Sequence, residues 1–408
     1  MKINTIKAIT QMNSAGLLTT VKNHLIKFIV VNFILLACLI GTSVFAAPRG
    51  VLFDYFGTGR SNYVLLNEEN GQTRWDILRN PVTNPAQTRR VFWGFAYPDD
   101  FAVLGDYDGD MKNDIGVWRP GTAQNPQSLF YIQRSTNPNA IFGQPWGSPT
   151  DLPLQGGDFD GDGKDDFTVV REENGNFSHY ILPSGGGGFR RIVFGLTSDF
   201  QVTTGADFTG DLRDEVVIYR DDSNGQTTIF AADSVTGNLV FAQRWGSSAG
   251  YDAVLGGYGD YLGDSRAELV QIYGKCGGCP NEGTWWIRET GGNTVRVVKF
   301  GVPLNENFEG DFPLFDSDFD GDGKLDIAVF RPENSTFYTL RSSDGQFMAQ
   351  YWDGNSASPP LSEPDSLENR LDSRGKSIPA AALKARVIAK QPDGTYRVEQ
   401  AGKFYLKK

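Results

Sequence analysis

A nine-residue acidic loop returns six times along the chain, and that repetition limits the fold more than any other feature. Asp106-Tyr-Asp-Gly-Asp-Met-Lys-Asn-Asp114 recurs as Asp158-Phe-Asp-Gly-Asp-Gly-Lys-Asp-Asp166 and Asp318-Phe-Asp-Gly-Asp-Gly-Lys-Leu-Asp326. Weaker copies start at Asp207 and Asp260, and a decayed one starts at Asp54. The six starts lie 52, 52, 49, 53 and 58 residues apart. A second marker keeps the same beat: Trp93-Gly94, Trp146-Gly147, Phe194-Gly195, Trp245-Gly246, Phe300-Gly301 and Trp352-Asp353. Two markers in phase define a repeated supersecondary unit.

Each unit alternates with period two, as strands do. After the loop comes a run such as Ile115-Gly-Val-Trp-Arg119 or Ile327-Ala-Val-Phe-Arg331. An aromatic strand (Phe130-Tyr-Ile-Gln, Phe337-Tyr-Thr-Leu) and a third strand ending at the Trp/Phe-Gly marker follow. A short fourth segment, such as Phe101-Ala-Val-Leu-Gly105, feeds the next loop. Four short strands per unit of about 50 residues describe the blades of an all-β propeller. Six loops give six blades, and a seventh built from the tail stays open. The segment Arg49–Asp54 is expected to complete the last blade as an N-terminal closing strand, which would remove exposed edges.

Within the loop, carboxylates fall at positions 1, 3, 5 and 9, and position 7 offers a backbone carbonyl. That donor set suits a hard cation held by oxygens, with calcium the natural occupant. Aspartates so close repel one another unless a cation neutralises them. The expected ligands are Asp106, Asp108, Asp110, Lys112 and Asp114; Asp158, Asp160, Asp162, Lys164 and Asp166; and Asp318, Asp320, Asp322, Lys324 and Asp326. Each lysine would ligate through its backbone carbonyl. Asp207, Asp211 and Glu215 form a weaker fourth candidate, because Thr209 stands at position 3. The loops at Asp260 and Asp54 read as metal-free turns. An EF-hand is excluded, since position 12 is Val117, Val169 or Val329 inside a strand rather than a bidentate glutamate.

The loop and its in-phase Phe/Trp-Gly marker resemble the FG-GAP/VCBS repeats of integrin-α-like β-propellers, over residues 49–353. The resemblance implies the propeller and calcium, and it implies adhesion, glycan binding or scaffolding only as a range. Six blades depart from the seven of integrin heads, so no partner-binding face carries over.

The remaining features bear on location and chemistry. Lys22 and Lys27, the apolar run 28–40 and small residues up to Ala46 describe a secretory signal peptide over residues 1–46. An uncleaved anchor over 28–47 and a lipidated Cys38 stay open as alternatives. Secretion or surface display is therefore expected. The net charge of −11 argues against nucleic acid as a partner. It is unevenly spread: four lysines and no acid in 1–47, and nine basic against two acidic residues in 374–408, leave −22 between them. With only His24 and His179, a His-rich zinc site is excluded, and His179 is read as a packing or surface residue. Cys276 and Cys279 are expected to close a local disulfide in an oxidising compartment. Residues 354–375 read as a linker. Residues 376–408 read as a basic tail with a small hairpin turning at Pro392-Asp-Gly, taken as a solvated appendage in preference to a contact with the propeller or an anionic surface.

The function expected is a calcium-stabilised module binding a protein or a glycan through one ring face, with Trp285 and Trp286 read equally as candidate contacts or as blade core. A polysaccharide-active enzyme on the same scaffold is the alternative. No non-repeating catalytic constellation supports it, and no catalytic residue is assigned.

Overall fold

The computed structural model describes residues 51–201, 205–247, 253–273, 282–303, 310–355 and the strands between 378 and 407. The signal segment, Cys38, His24, Cys276, Cys279 and most of the linker lie outside the described residues.

The alternating runs form six antiparallel sheets, and the only helical turn among the described residues is Pro332–Asn334. The first sheet carries β1 (Tyr63–Glu69), β2 (Gln72–Leu78) and β3 (Thr88–Phe95). The second runs β4 (Phe101–Gly105), β5 (Asp114–Arg119), β6 (Leu129–Gln133), β7 (Ile141–Pro145). The third is β8 (Leu152–Pro153), β9 (Phe167–Glu173), β10 (Asn176–Leu182), β11 (Arg190–Leu196), and the fourth β12 (Phe200–Gln201), β13 (Val216–Asp221), β14 (Gln226–Ala232), β15 (Leu239–Ser247). The fifth is β16 (Ala253–Gly259), β17 (Glu268–Tyr273), β18 (Thr284–Arg288), β19 (Val295–Lys299). The sixth is β20 (Phe312–Leu314), β21 (Ile327–Arg331), β22 (Thr336–Leu340), β23 (Phe347–Tyr351).

Each sheet is a blade, and the blades stack by their apolar faces into a closed circle. Tyr107, Trp118 and Phe130 of the second blade pack on Phe167 and Val169 of the third. Leu154, Phe177 and Ile181 of the third meet Val216 of the fourth. Phe208 and Ile229 of the fourth meet Tyr258 and Leu269 of the fifth. Val270 and Trp285 of the fifth meet Phe315 and Val329 of the sixth. The sixth returns to the first, where Phe319, Phe337 and Trp352 pack with Phe53, Tyr63 and Trp75. The Tyr63 ring stacks on Phe319 with centroids 5.1 Å apart. The marker tryptophans stitch neighbours together as well as filling space: Trp93 Nε1 donates to Tyr131 O at 3.0 Å and Trp146 Nε1 to Tyr180 O at 3.1 Å.

The class is a six-bladed propeller, as the repeat predicts, but its seam differs from the expectation. In blades two to six the segment before the acidic loop pairs with the strand after it, as in Phe101↔Trp118 through Gly105↔Asp114. A short loop joins antiparallel neighbours as a hairpin, so that segment opens its own blade rather than finishing the previous one. The sixth blade accordingly holds four strands of its own, and Val51–Asp54 forms no strand beside it. In the first blade, the edge of β1 is taken by β24 (Ile378–Pro379), with Leu66 opposite Ile378 and Leu65 opposite Pro379.

The basic tail also differs from a solvated appendage. The expected hairpin forms between β25 (Arg386–Lys390) and β26 (Tyr396–Gln400), with its turn outside the described residues, and β27 (Lys403–Lys407) adds a third strand. Strand β25 then pairs with β16, extending the fifth sheet to seven strands. No described helix is long and apolar enough to cross a membrane.

Candidate metal centres

The acidic loops are the hairpin turns between the first and second strands of blades two to six, and the loop at Asp54 leads into β1. Their side chains fold them before any ion is considered. The position 1 carboxylate accepts the N–H groups of positions 4 and 6: Gly161 and Gly163 on Asp158 at 2.7 and 2.9 Å, Gly321 and Gly323 on Asp318 at 2.6 and 2.9 Å. The position 9 side chain accepts the N–H of position 2 in all six loops, through Asn62, Asp114, Asp166, Glu215, Glu268 and Asp326. The loops at Asp54 and Asp260 therefore retain positions 1 and 9 as backbone acceptors. Both lose the position 3 aspartate, to Phe56 and Leu262, and the loop at Asp54 also carries Thr58 and Asn62 at positions 5 and 9.

Four loops gather three carboxylates whose oxygens lie within 4.8 Å of one another: Asp106, Asp108 and Asp114; Asp158, Asp160 and Asp166; Asp318, Asp320 and Asp326; and Asp207, Asp211 and Glu215. These are positions 1, 3 and 9 of the three full loops. In the fourth, where Thr209 cannot serve, Asp211 of position 5 moves into the group. Position 5 of the full loops, expected as a ligand, lies outside these three-carboxylate groups. Asp110 binds Lys112 Nζ at 2.9 Å and Ser135 Oγ at 2.6 Å, which hold its carboxyl below the usual range despite partial burial. Asp162 and Asp322 accept the backbone N–H of Lys164 and Lys324, each at 2.9 Å. Short turns of this kind satisfy the position 5 oxygen locally.

The position 7 residues are basic in every blade, and their side chains lie over the position 4 glycine of the loop before. Lys112 covers Gly57, Lys164 covers Gly109, and Lys324 covers Gly263. The φ of Gly109, +79°, is the backbone reason for glycine there, and a Cβ would also displace the Lys164 side chain, 2.8 Å away at Cε.

The electrostatics show what the three-carboxylate groups lack. Burial pushes the Asp166 carboxyl up to about 8, with the Asp160 and Asp158 charges adding to it against the N–H groups of Ser184 and Phe159. Burial raises Asp114 to about 8 and Asp326 and Glu215 to about 7, each helped by the charges of its own loop partners. Asp108 Oδ1 is buried without a hydrogen-bond partner. Oxygen donors, mutual repulsion and an orphaned buried oxygen fit a cation of the calcium class. These clusters can hold a metal ion.

At the opposite end of the β4–β5 hairpin and its equivalents lies a second repeat. Asp100, Asp151, Asp199 and Asp311 each make a bidentate pair with Arg119, Arg171, Arg220 and Arg331 at 2.6–2.9 Å. The same aspartates accept the N–H that follows the marker glycine in Phe95, Ser148, Leu196 and Val302 at 2.7–2.8 Å. Each arginine lies over an aromatic ring: Tyr131 at 4.9 Å, Tyr180 at 4.7 Å, Phe230 at 5.1 Å and Tyr338 at 4.7 Å. Sequence reasoning missed this clamp. An Asp about 20 residues before the strand-ending Arg was the available signal.

His179 is buried in β10, and burial holds its imidazole down at about 4, so it is a neutral packing residue. Trp285 is fully buried and donates Nε1 to Phe300 O at 3.1 Å, so it belongs to the core rather than to a contact surface. Trp286 lies on the other face of β18, partly exposed beside Tyr273.

Fold and clusters together define a six-bladed β-propeller with acidic, cation-competent loops on the hairpin turns. No protein-family model matches the chain, and no curated protein matches it. Among solved structures it is similar to the β-propeller domain of the Trilobed protease from Pyrococcus furiosus at 13% identity, covering 75% of this chain and 92% of that one, with TM-score 0.34. It is also similar to the Dos1 propeller, at 11% identity, 76% and 84% coverage and TM-score 0.34. A third is a mutant of AofleA from Arthrobotrys oligospora, at 9% identity, 75% and 85% coverage and TM-score 0.32. The propeller assignment rests on the six sheets and their closed circle of contacts.

Proposed function

We propose that this chain is an exported, calcium-stabilised propeller that holds a protein or glycan ligand on one ring face. The observation that carries the calcium is the convergence of positions 1, 3 and 9 in three loops, with the position 9 carboxyls raised by burial and by the charges of their loop partners. The metal acts as a structural pin between strands, not as a catalyst. Binding is favoured over catalysis because each buried carboxylate cluster recurs at the same place in its blade. A catalytic centre needs one blade to differ from the others. Candidate contacts lie on the rim opposite the acidic loops, where Phe95 and Tyr97 are about half exposed and the Arg119 guanidinium lies 4.3 Å over the Phe95 ring. An aromatic face beside a planar cation suits a sugar ring or an aromatic side chain.

The test pairs glycan-array and protein-capture binding with an assay for carbohydrate release. Ligand retention that falls in Phe95→Ala and Tyr97→Ala, without release of sugar, is the expected result. Release of oligosaccharide by the purified chain would overturn the binding reading.

A further inference from the structure

The acidic loops are joined to one another around the circle. In each blade the N–H of loop position 8 donates to the position 1 carbonyl of the preceding blade: Asn113 to Asp54, Asp165 to Asp106, Asp214 to Asp158, Ala267 to Asp207, Leu325 to Asp260 and Ser61 to Asp318, all at 2.7–3.0 Å. Three of these junctions carry a second, reciprocal bond. The Asp106 N–H donates to Asp165 Oδ2 at 2.6 Å, the Asp158 N–H to Asp214 Oδ2 at 3.0 Å, and the Asp318 N–H to Ser61 Oγ at 2.9 Å. Those three position 1 residues open the three full acidic loops. The loops at Asp207 and Asp260 face Ala267 and Leu325, whose side chains carry no acceptor. The Asp54 N–H bonds instead to Val51 O at 3.1 Å.

We infer that Asp165, Asp214 and Ser61 are positioning residues for the metal in the blade before their own. This rests on the reading that the full loops take calcium. Position 1 places its carboxylate through its backbone, and tying both its N–H and its C=O fixes the peptide planes on either side. The ordering that a cation would otherwise have to impose is then already present. Hydrogen-bond partners behind a metal ligand are typically worth 10- to 100-fold in affinity. The assignment also ranks the sites: the loop at Asp207, held on one side only, binds more weakly than the three clamped loops.

The neighbours in sequence make the claim separable from a local effect. Asp214 adjoins Glu215, a candidate ligand of its own loop, yet it supports the loop at Asp158. Calorimetric titration of the full chain with calcium chloride is the test. Asp214→Ala is expected to weaken one strong site by about tenfold. That loss should vanish when Asp160→Asn has already disabled the loop at Asp158, and persist when Asp211→Asn has disabled the loop at Asp207. Asp214→Asn keeps an acceptor oxygen and should stay close to the parent. Ser61→Ala removes a single oxygen 257 residues from its target and should weaken the loop at Asp318. Folded Asp214→Ala and Ser61→Ala proteins with unchanged isotherms would overturn the inference, as would a loss that maps to the loop at Asp207. If Asp214→Ala fails to fold, Ser61→Ala decides alone. A parent chain that takes up no calcium removes the proposed function itself, a different failure from a parent that binds calcium beside indifferent variants.

Discussion

Replacing Asp160 by asparagine should change sign with calcium. Asp160 stands at position 3, where its carboxylate makes a long bond to the loop backbone, accepting the Asp162 N–H at 3.2 Å. Its charge adds to that of Asp158 in raising the buried Asp166 carboxyl. Without a cation, removing that charge relieves Asp166 and costs little, so Asp160→Asn is expected to be neutral or slightly stabilising. With calcium the variant loses a site. At the affinities of extracellular calcium modules, about 10⁻⁴–10⁻³ M, millimolar calcium contributes about 0.4–1.4 kcal/mol per site. For a chain of this size that is about 0.5–2 °C in melting temperature. Paired thermal melts of parent and variant, in chelator and in 1 mM calcium, isolate this difference of differences. A variant destabilised equally in both conditions would refute the reasoning, because Asp160 would then be serving the fold and not an ion.

Three further outcomes follow from the same geometry. In metal-free protein Asp114, Asp166, Asp326 and Glu215 hold protons more tightly folded than unfolded, so their contribution is complete at low pH and drains as pH rises through about 7–8. Melts in chelator should therefore fall between pH 5.5 and 8.5 and flatten when calcium is added; a rise with pH in chelator contradicts the sign. Asp151→Ala removes a buried carboxylate that makes a bidentate pair with the half-buried Arg171 and frees the Ser148 N–H, and should cost about 2 kcal/mol in denaturant unfolding; a loss under 1 kcal/mol would show the clamp to be incidental. Truncation after Asn355 removes the strands on β1 and β16, so amide exchange should accelerate at Leu66 and Val254, and unaltered protection there would show that the tail does not hold those edges.

The repeat was legible because propeller blades reuse one solution: the period gave the blade count, and alternation gave the strands. Most of the candidate site was legible too, since ligand spacing is local in sequence. What the sequence concealed was pairing between blades. Nothing in Asp214 distinguishes a residue that serves Glu215 beside it from one that grips Asp158 across an interface. The seam was hidden for the same reason: Arg49–Asp54 matches the segments that precede other loops, yet β24 occupies the edge beside Leu65 and Leu66. Position 5 could not be settled from spacing, because an aspartate that could ligate can equally satisfy the N–H two residues on, as Asp162 does with Lys164. Trp285 was legible only as contact or core; alternation along β18 decides it, burying Trp285 while leaving Trp286 partly outside.

The central claim, that the acidic loops are calcium sites spaced around a closed ring, is tested most directly by anomalous diffraction from crystals grown with calcium. The account predicts peaks at about 2.3–2.6 Å from the carboxylates of Asp106, Asp108 and Asp114, of Asp158, Asp160 and Asp166, and of Asp318, Asp320 and Asp326, with none at the loops of Asp54 and Asp260. Loops without peaks at saturating calcium, or peaks equally strong at Asp54 and Asp260, would contradict it.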